Sequence, residues 1–566
     1  MTDFRRIILV ALLFMIGMML WNSWEAEHAP PPTLPVVTAP STPLTEAVNN
    51  AETISGPAET AAPTATAASQ TPVEQTTPSV PVTVANRYIQ IQTQTLQATI
   101  DRVGGALVSV DLLKYPVAIN QPNTPFPFLS QDPATYYVAT SGLVGTGLPA
   151  PQQMVYESSQ QRYTLANGQQ ELTVDLTWQN KQGLKITKTY IFPANDYLIQ
   201  VKQQVDNQSN TDWKGQFYAE LQRRPVAAGG LGPFHFNTYL GAVLSSPEKR
   251  YEKISFKQMD ESNLDQSIQN GWLGMVQHYF ISAWVPNPQS SYHYYTAANA
   301  ENDVYTIGLI SRVVPVGAHQ QYSTGAQLYT GPDIADKLSK IAPGMNLTVD
   351  YGVLWFIGVF IFGLMKKLYA VTGNWGWAIV LTTLIIKLLF YKLNSISFRS
   401  MAAMRNLQPK LQQLRERCGD DRQKLAQGTM ELYKREKVNP LGGCLPMLVQ
   451  IPVFLALYWV LAGSVELRQA PFILWIHDLS AKDPYYVLPL LMGLTIFIQQ
   501  WLSPKAPDPM QQKVMMMMPV IFTALFLSFP AGLVLYWVVN NTLSILQQWY
   551  IMNHVVPKAE AKKLRR

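Results

Sequence analysis

Six apolar segments crowd the C-terminal part of the chain, at about residues 351–370, 375–393, 445–462, 485–502, 515–529 and 532–550. They leave few folds open. Each approaches the roughly 20 residues a helix needs to cross about 30 Å of hydrocarbon. Inside hydrocarbon the backbone must satisfy its own polar groups, so segments of this kind are helices. An ordinary cytosolic enzyme is excluded, since only 14% of the 566 residues are charged against about 25% in a typical soluble chain. Yet the mean hydropathy is +0.01, too low for helices of this kind alone. The chain must therefore join a membrane part to a polar part.

The placement of charge decides which segments cross. From Asn374 onward there are 21 Lys and Arg against 10 Asp and Glu, a balance of +11 in a chain of net +6. Between Lys392 and Lys437 lie 11 basic residues and 5 acids, which the positive-inside tendency assigns to the cytoplasm. If 351–370 and 375–393 both crossed, that loop would lie outside. Residues 350–371 are therefore expected to form an interfacial amphipathic helix, with Trp355, Lys366, Lys367 and Tyr369 suited to the membrane boundary. The remaining segments, within 374–550, give five spans and leave a basic cytosolic tail at 551–566. Of the 21 basic residues, 18 then lie inside, two outside and one within a span.

Residues 1–24 supply a further span. Arg5 and Arg6 precede an apolar run from Ile7 to Trp21 with no small-x-small cleavage site, which reads as an uncleaved signal anchor. The expectation is thus six transmembrane helices with both ends cytoplasmic. Residues 25–85 form a Pro/Thr/Ala-rich tether: eleven prolines lie between Pro30 and Pro81, with too little apolar area to offset the entropy of ordering. Residues 86–342 alternate apolar and polar side chains in RYIQIQTQTLQATI, ELTVDLTWQ and LKITKTYIF. Period-two alternation punctuated by Asn167-Gly168, Val103-Gly104-Gly105 and Lys181-Gln182-Gly183 predicts a large all-β sandwich on the periplasmic side.

The basic residue inside a span is Lys387. A cation at mid-helix costs roughly 2.5–3.5 kcal/mol on the insertion scale and usually faces water or a partner. No acid lies in another span to pair with it, which leaves a hydrated recess or snorkelling towards the cytoplasmic face. Thr382, Thr383, Gln450, Gln499, Gln500, Asn540 and Asn541 could line such a recess, although singly each also serves as helix–helix glue. The Met515–Met518 run offers an adaptable apolar surface.

Residues 398–438 read as a cytosolic helical hairpin. Pro409 suits a first turn and Cys418-Gly419-Asp420-Asp421 makes the bend. Its cations Arg405, Lys410, Arg415, Arg417, Arg422, Lys424, Lys434 and Arg435 could receive an acidic partner, although solvated positive-inside charge explains most of them. The two cysteines are not in CxxC spacing, and the seven histidines are scattered. With no HExxH, GxSxG, Walker loop or dinucleotide turn, neither a catalytic residue, a metal site nor a cofactor is expected.

At residues 439–493, 508–522 and 529–541 the chain resembles the YidC membrane protein insertases: NPLGGCLPMLVQIPVFLALYWVLAGSVELRQAPFILWIHDLSAKDPYYVLPLLMG, DPMQQKVMMMMPVIF and FPAGLVLYWVVNN. The anchor, tether and β domain resemble the Gram-negative members. The resemblance implies a five-helix insertase core, a periplasmic β-supersandwich similar to sugar mutarotases, and a groove open to cytoplasm and lipid. Lys387 falls where these proteins commonly carry arginine; lysine keeps the charge without the planar fork. Thr383, Phe454, Met492 and Trp537 are implied to line the substrate path; with Lys387 and the amides Gln450 and Asn540 read above they make up the expected substrate groove. Nascent membrane proteins and the lipid bilayer are the implied partners, with Sec translocon subunits and a ribosome or targeting factor beside them; DNA is not expected. Two rival readings are a secondary transporter, which would show repeats and broken helices, and a membrane-anchored sugar-binding or sugar-modifying enzyme built on residues 86–342.

Overall fold

In the strand Leu184–Pro193 every second residue is buried, from Leu184 through Ile186, Lys188 and Tyr190 to Phe192. That alternation fixes the strand's register, because a slip by one residue would turn the apolar set outward. It pairs antiparallel with Glu171–Gln179 on one side and Leu198–Asn207 on the other. The computed structural model describes residues 86–226, 239–299, 301–419, 421–436, 438, 445–503 and 509–555. The expected anchor 1–24, the whole tether 25–85 and most of the basic tail lie outside the described residues. The described residues divide into two compact units, one containing residues 86–353 with Trp459–Ala470, the other Leu354–Tyr458 and residues 471–555.

The first unit is β-rich, with an eleven-stranded and a nine-stranded sheet. Both contribute to one hydrophobic core, in which Tyr137, Tyr190, Phe192, Phe217, Trp272 and Trp284 are fully buried. At about 25 cal/mol per Å² and roughly 200 Å² apiece, each such aromatic contributes on the order of 5 kcal/mol before entropy is set against it. The first alternating run is not one strand but two, Tyr88–Gln92 and Leu96–Asp101. Thr93 makes the break: its Oγ1 accepts from the backbone N–H of Thr95 at 3.2 Å and of Leu96 at 3.0 Å, closing a side-chain turn. The unit also takes in Arg468, whose Nη2 donates to the Pro116 carbonyl at 2.7 Å.

The second unit is helical: α1 (Trp355–Thr372), α2 (Trp375–Leu389), α3 (Tyr391–Asn406), α4 (Gln408–Cys418), α5 (Arg422–Arg435), α6 (Leu445–Gly463), α7 (Val487–Leu502), α8 (Pro509–Phe526) and α9 (Ala531–Tyr550). A two-residue link joins α1 to α2. Gly373 takes the left-handed conformation at φ 64° that ends α1, where a side chain would be strained. Asn374 then caps α2, its Oδ1 accepting from the N–H groups of Gly376 and Trp377 at 2.9 and 3.2 Å. Among the described residues α1 alone is long and apolar enough to cross a membrane unaided. Helices α2 and α3 pass the same test only as a pair, bent by 68° between them. Leu388 and Leu389 on α2, Trp501 on α7 and Met516 on α8 are exposed, as a lipid-facing surface requires.

Candidate functional site

The bend between α2 and α3 corrects the sequence expectation for Lys387. It lies in the last turn of α2, three residues before Phe390, and not in the middle of an unbroken 375–393 helix. No proline or glycine makes the break. Two side chains converge instead on the Tyr391 carbonyl: Ser395 Oγ donates at 2.8 Å from the next turn, and Gln547 Nε2 of α9 donates at 3.1 Å. Polar intrusion into the backbone ladder is a sufficient cause for a sharp kink. The unpaired carbonyls at a helix C-terminus carry partial negative charge, so the last turn is a favourable place for a cation.

Nor is the lysine unpartnered, as an empty recess would leave it. Its Nζ donates to Ser544 Oγ of α9 at 2.7 Å, and Ser544 Oγ donates in turn to the Asn540 carbonyl at 2.8 Å. Beside the lysine lies a small recess of about 20 Å³, lined by Ile386, Lys387, Phe390, Leu393, Asn394, Val449, Gln450, Val453 and Asn540. Gln450 Nε2 approaches Tyr536 Oη at 3.5 Å. The walls are mainly apolar, with a cation and three amides among them. A cation and amides set in apolar walls suit a small polar or anionic group.

Three of the seven expected lining residues, Lys387, Gln450 and Asn540, come together here. Thr383 lies one turn before the lysine, but it is buried and its hydroxyl is committed to the Ile379 carbonyl at 2.7 Å. Phe454 and Trp537 meet edge to face at 4.7 Å, and Phe526 stands 5.4 Å from Trp537. These three form an aromatic cluster outside the set that lines the recess. Met492 is fully buried on α7 and is also outside that set. Asn541 donates to Thr495 Oγ1 at 3.3 Å, and Gln500 to the Met515 carbonyl, so both hold helices together. Ser544 and Asn394 were missed. The signal for Ser544 was the four-residue spacing Asn540–Ser544–Gln548, three polar residues on one face of an apolar helix, all buried.

On the hairpin, α4 and α5 are joined by an ion pair between Lys410 Nζ and Glu436 Oε1 at 2.8 Å. Arg405, Lys410, Arg415, Arg417, Lys424, Lys434 and Arg435 are exposed; the Arg422 side chain lies outside the described set. All seven face solvent, and the surface ion pairs that Lys410, Lys424 and Arg435 make are worth little.

A helical unit with exposed apolar faces and a lysine in a mainly apolar recess, in one chain with a large β unit, fits an integral membrane protein with a substantial extramembrane domain. Comparison with known proteins narrows that class. The YidC periplasmic domain matches residues 88–364 and the 60Kd inner membrane protein family matches 367–559. The chain is 46% identical to the membrane protein insertase YidC of Coxiella burnetii (strain Dugway 5J108-111), over 97% of this chain and 96% of that one. It is 47% identical to the protein of the same name from Legionella pneumophila (strain Paris), over 99% of each chain. A crystal structure described as an active YidC insertase with its first transmembrane domain resolved aligns over 82% of this chain and 92% of its own, at 17% identity and a TM-score of 0.38. This chain therefore belongs to the YidC family.

Proposed function

We propose that this chain inserts nascent membrane proteins into the bacterial inner membrane through the recess that holds Lys387. It is an insertase and not an enzyme: no bond is made or broken. Near-full-length likeness to insertases supports the activity, and the position of Lys387 supports the mechanism. A client brings an apolar segment and a polar, often acidic, tail. The recess lowers the cost of carrying that tail part-way across, because its lysine and amides replace some of the water lost. Attraction between the ammonium and the tail's carboxylates is strong here relative to water, since the walls are mainly apolar. The apolar segment then leaves for lipid, where burial of about 20 residues drives the reaction. Phe454, Trp537 and Met492 offer the apolar contacts for that passage, with Thr383 behind the lysine.

The same reading assigns six transmembrane helices including the anchor at 1–24, both termini in the cytoplasm, and the β unit as a periplasmic supersandwich. Trp355, Phe356, Val359 and Phe360 are exposed on α1, and Lys367 is exposed near its other end. That mixture supports a helix lying in the outer interface, although its 18 residues also suffice to cross. The exposed cations of α4 and α5 would receive a ribosome or targeting factor, and Sec translocon subunits are the neighbours expected in the membrane.

Reconstitution tests the function. The full chain in phosphatidylethanolamine/phosphatidylglycerol vesicles should make a small single-span client protease-protected in proportion to the amount of protein. Protection no greater than in empty vesicles would refute the insertase reading.

A further inference from the structure

Lysine in the last turn of a membrane helix has an easy alternative to facing a recess, because four methylenes let its ammonium reach the nearest interface. Something must hold it back. Among the described residues the hydrogen-bond partner of Lys387 Nζ is Ser544 Oγ, at 2.7 Å. The serine proton is already committed to the Asn540 carbonyl at 2.8 Å. A hydroxyl can donate once and accept twice. With its proton directed along α9, Ser544 presents lone pairs alone to the ammonium. It is 5% exposed, so water does not compete freely for that acceptor. Because Asn540 both accepts from Ser544 and lines the recess, the relay ties the lysine to the wall that a client would meet.

We propose that Ser544 is a positioning residue: it anchors the Lys387 ammonium at the recess and so sets where an anionic client tail is attracted. This rests on the groove reading above, and it acts through the lysine alone. Ser544 itself touches no client in this account. Its oxygen is what matters; its bulk is not. A neutral acceptor suits the role better than a carboxylate would, since an acid here would neutralise the charge the client must feel.

The test uses the full chain in phosphatidylethanolamine/phosphatidylglycerol vesicles, with two single-span clients that differ only in three tail aspartates against three asparagines. Insertion is normalised to reconstituted protein. Ser544→Ala should slow the aspartate-tailed client by about fivefold or more and the asparagine-tailed client much less, as expected when a hydrogen bond to a charged group is lost. Ser544→Val, which has the shape of threonine without its hydroxyl, should behave like Ser544→Ala, while Ser544→Thr should restore most of the rate. In a Lys387→Ala background, Ser544→Ala should add nothing further. Equal rates for Ser544→Val and Ser544→Thr would overturn the proposal, and so would an undiminished Ser544→Ala loss in that background. If the Ala variant fails to accumulate, the Val and Thr pair decides. A Lys387→Ala protein that handles the aspartate tail normally would instead remove the groove reading, and this proposal with it.

Discussion

Lys188 stands on the buried face of its strand, between Ile186 and Tyr190, and is 0% exposed. Its Nζ donates to the carbonyls of Gly105 and Ser141, each at 2.6 Å, and lies 5.1 Å from the centre of the Tyr190 ring. Burial pushes its pKa down from the ordinary 10.5 to about 7. Between those values the unfolded chain binds the proton and the folded chain does not, so stability rises with pH across that window. For pKa values of 7 and 10.5, the gain from pH 7.5 to 9.5 is about 2.5 kcal/mol. A β unit of this size should then melt roughly 5–10 °C higher at the upper pH through this group alone. Lys188→Met keeps the length of the side chain and removes the titration, while Tyr190 Oη continues to donate to Gly105 at 2.7 Å. The assay is thermal unfolding of the full-length wild type and variant in detergent, followed by the fluorescence of buried tryptophans such as Trp272 and Trp284. The variant should be relatively more stable at pH 7.5 than at 9.5. A wild-type-minus-variant difference that does not move with pH would show that burial does not depress the Lys188 pKa as argued here.

Asp333 mirrors it: 2% exposed, with Thr348 Oγ1 donating at 2.7 Å, its carboxyl is pushed up to about 7, mainly by burial. A raised carboxyl contributes stability that is lost as pH rises from about 4 to about 7, so Asp333→Asn should raise the melting temperature at pH 8 and change it little at pH 4.5, by the same unfolding assay. Asn374→Ala removes the cap of α2 and the Nδ2 bonds to the Pro471 and Phe472 carbonyls at 3.3 and 3.1 Å. It should cost about 1–2 kcal/mol, seen as a lower unfolding temperature of the helical unit. Trp537→Ala opens the aromatic cluster with Phe454 and Phe526; it should slow insertion of acidic-tailed and neutral-tailed clients alike, because it touches the apolar passage and not the charge.

The strand Leu184–Pro193 was legible because period-two burial is a local pattern, although the lysine on its inner face was not singled out. The break at Thr93 was not. Alternation runs through it, and only the side-chain turn reveals two strands. In the membrane part, Lys387 was conspicuous as a cation among apolar residues, but its setting depends on contacts remote in sequence. The bend at Phe390 is held by Gln547, 156 positions from Tyr391, and the ammonium by Ser544, 157 positions away. Neighbouring polar residues also part company in space. Asn540 and Asn541 point about 100° apart around α9, so Asn540 lines the recess while Asn541 bonds to Thr495 on α7. Helical packing, not composition, decides which amides meet the lysine.

The central claim is that the Lys387 charge draws client tails into the recess. Its most direct test compares Lys387→Ala, Lys387→Arg and wild type in the same vesicles, with the client tail varied from three aspartates to three asparagines. The account predicts that Lys387→Ala slows the aspartate-tailed client about tenfold, as loss of a charge contact at a partly buried site requires. Lys387→Arg should stay near wild type, because the charge remains. Insertion of the aspartate-tailed client by Lys387→Ala at the wild-type rate would contradict it.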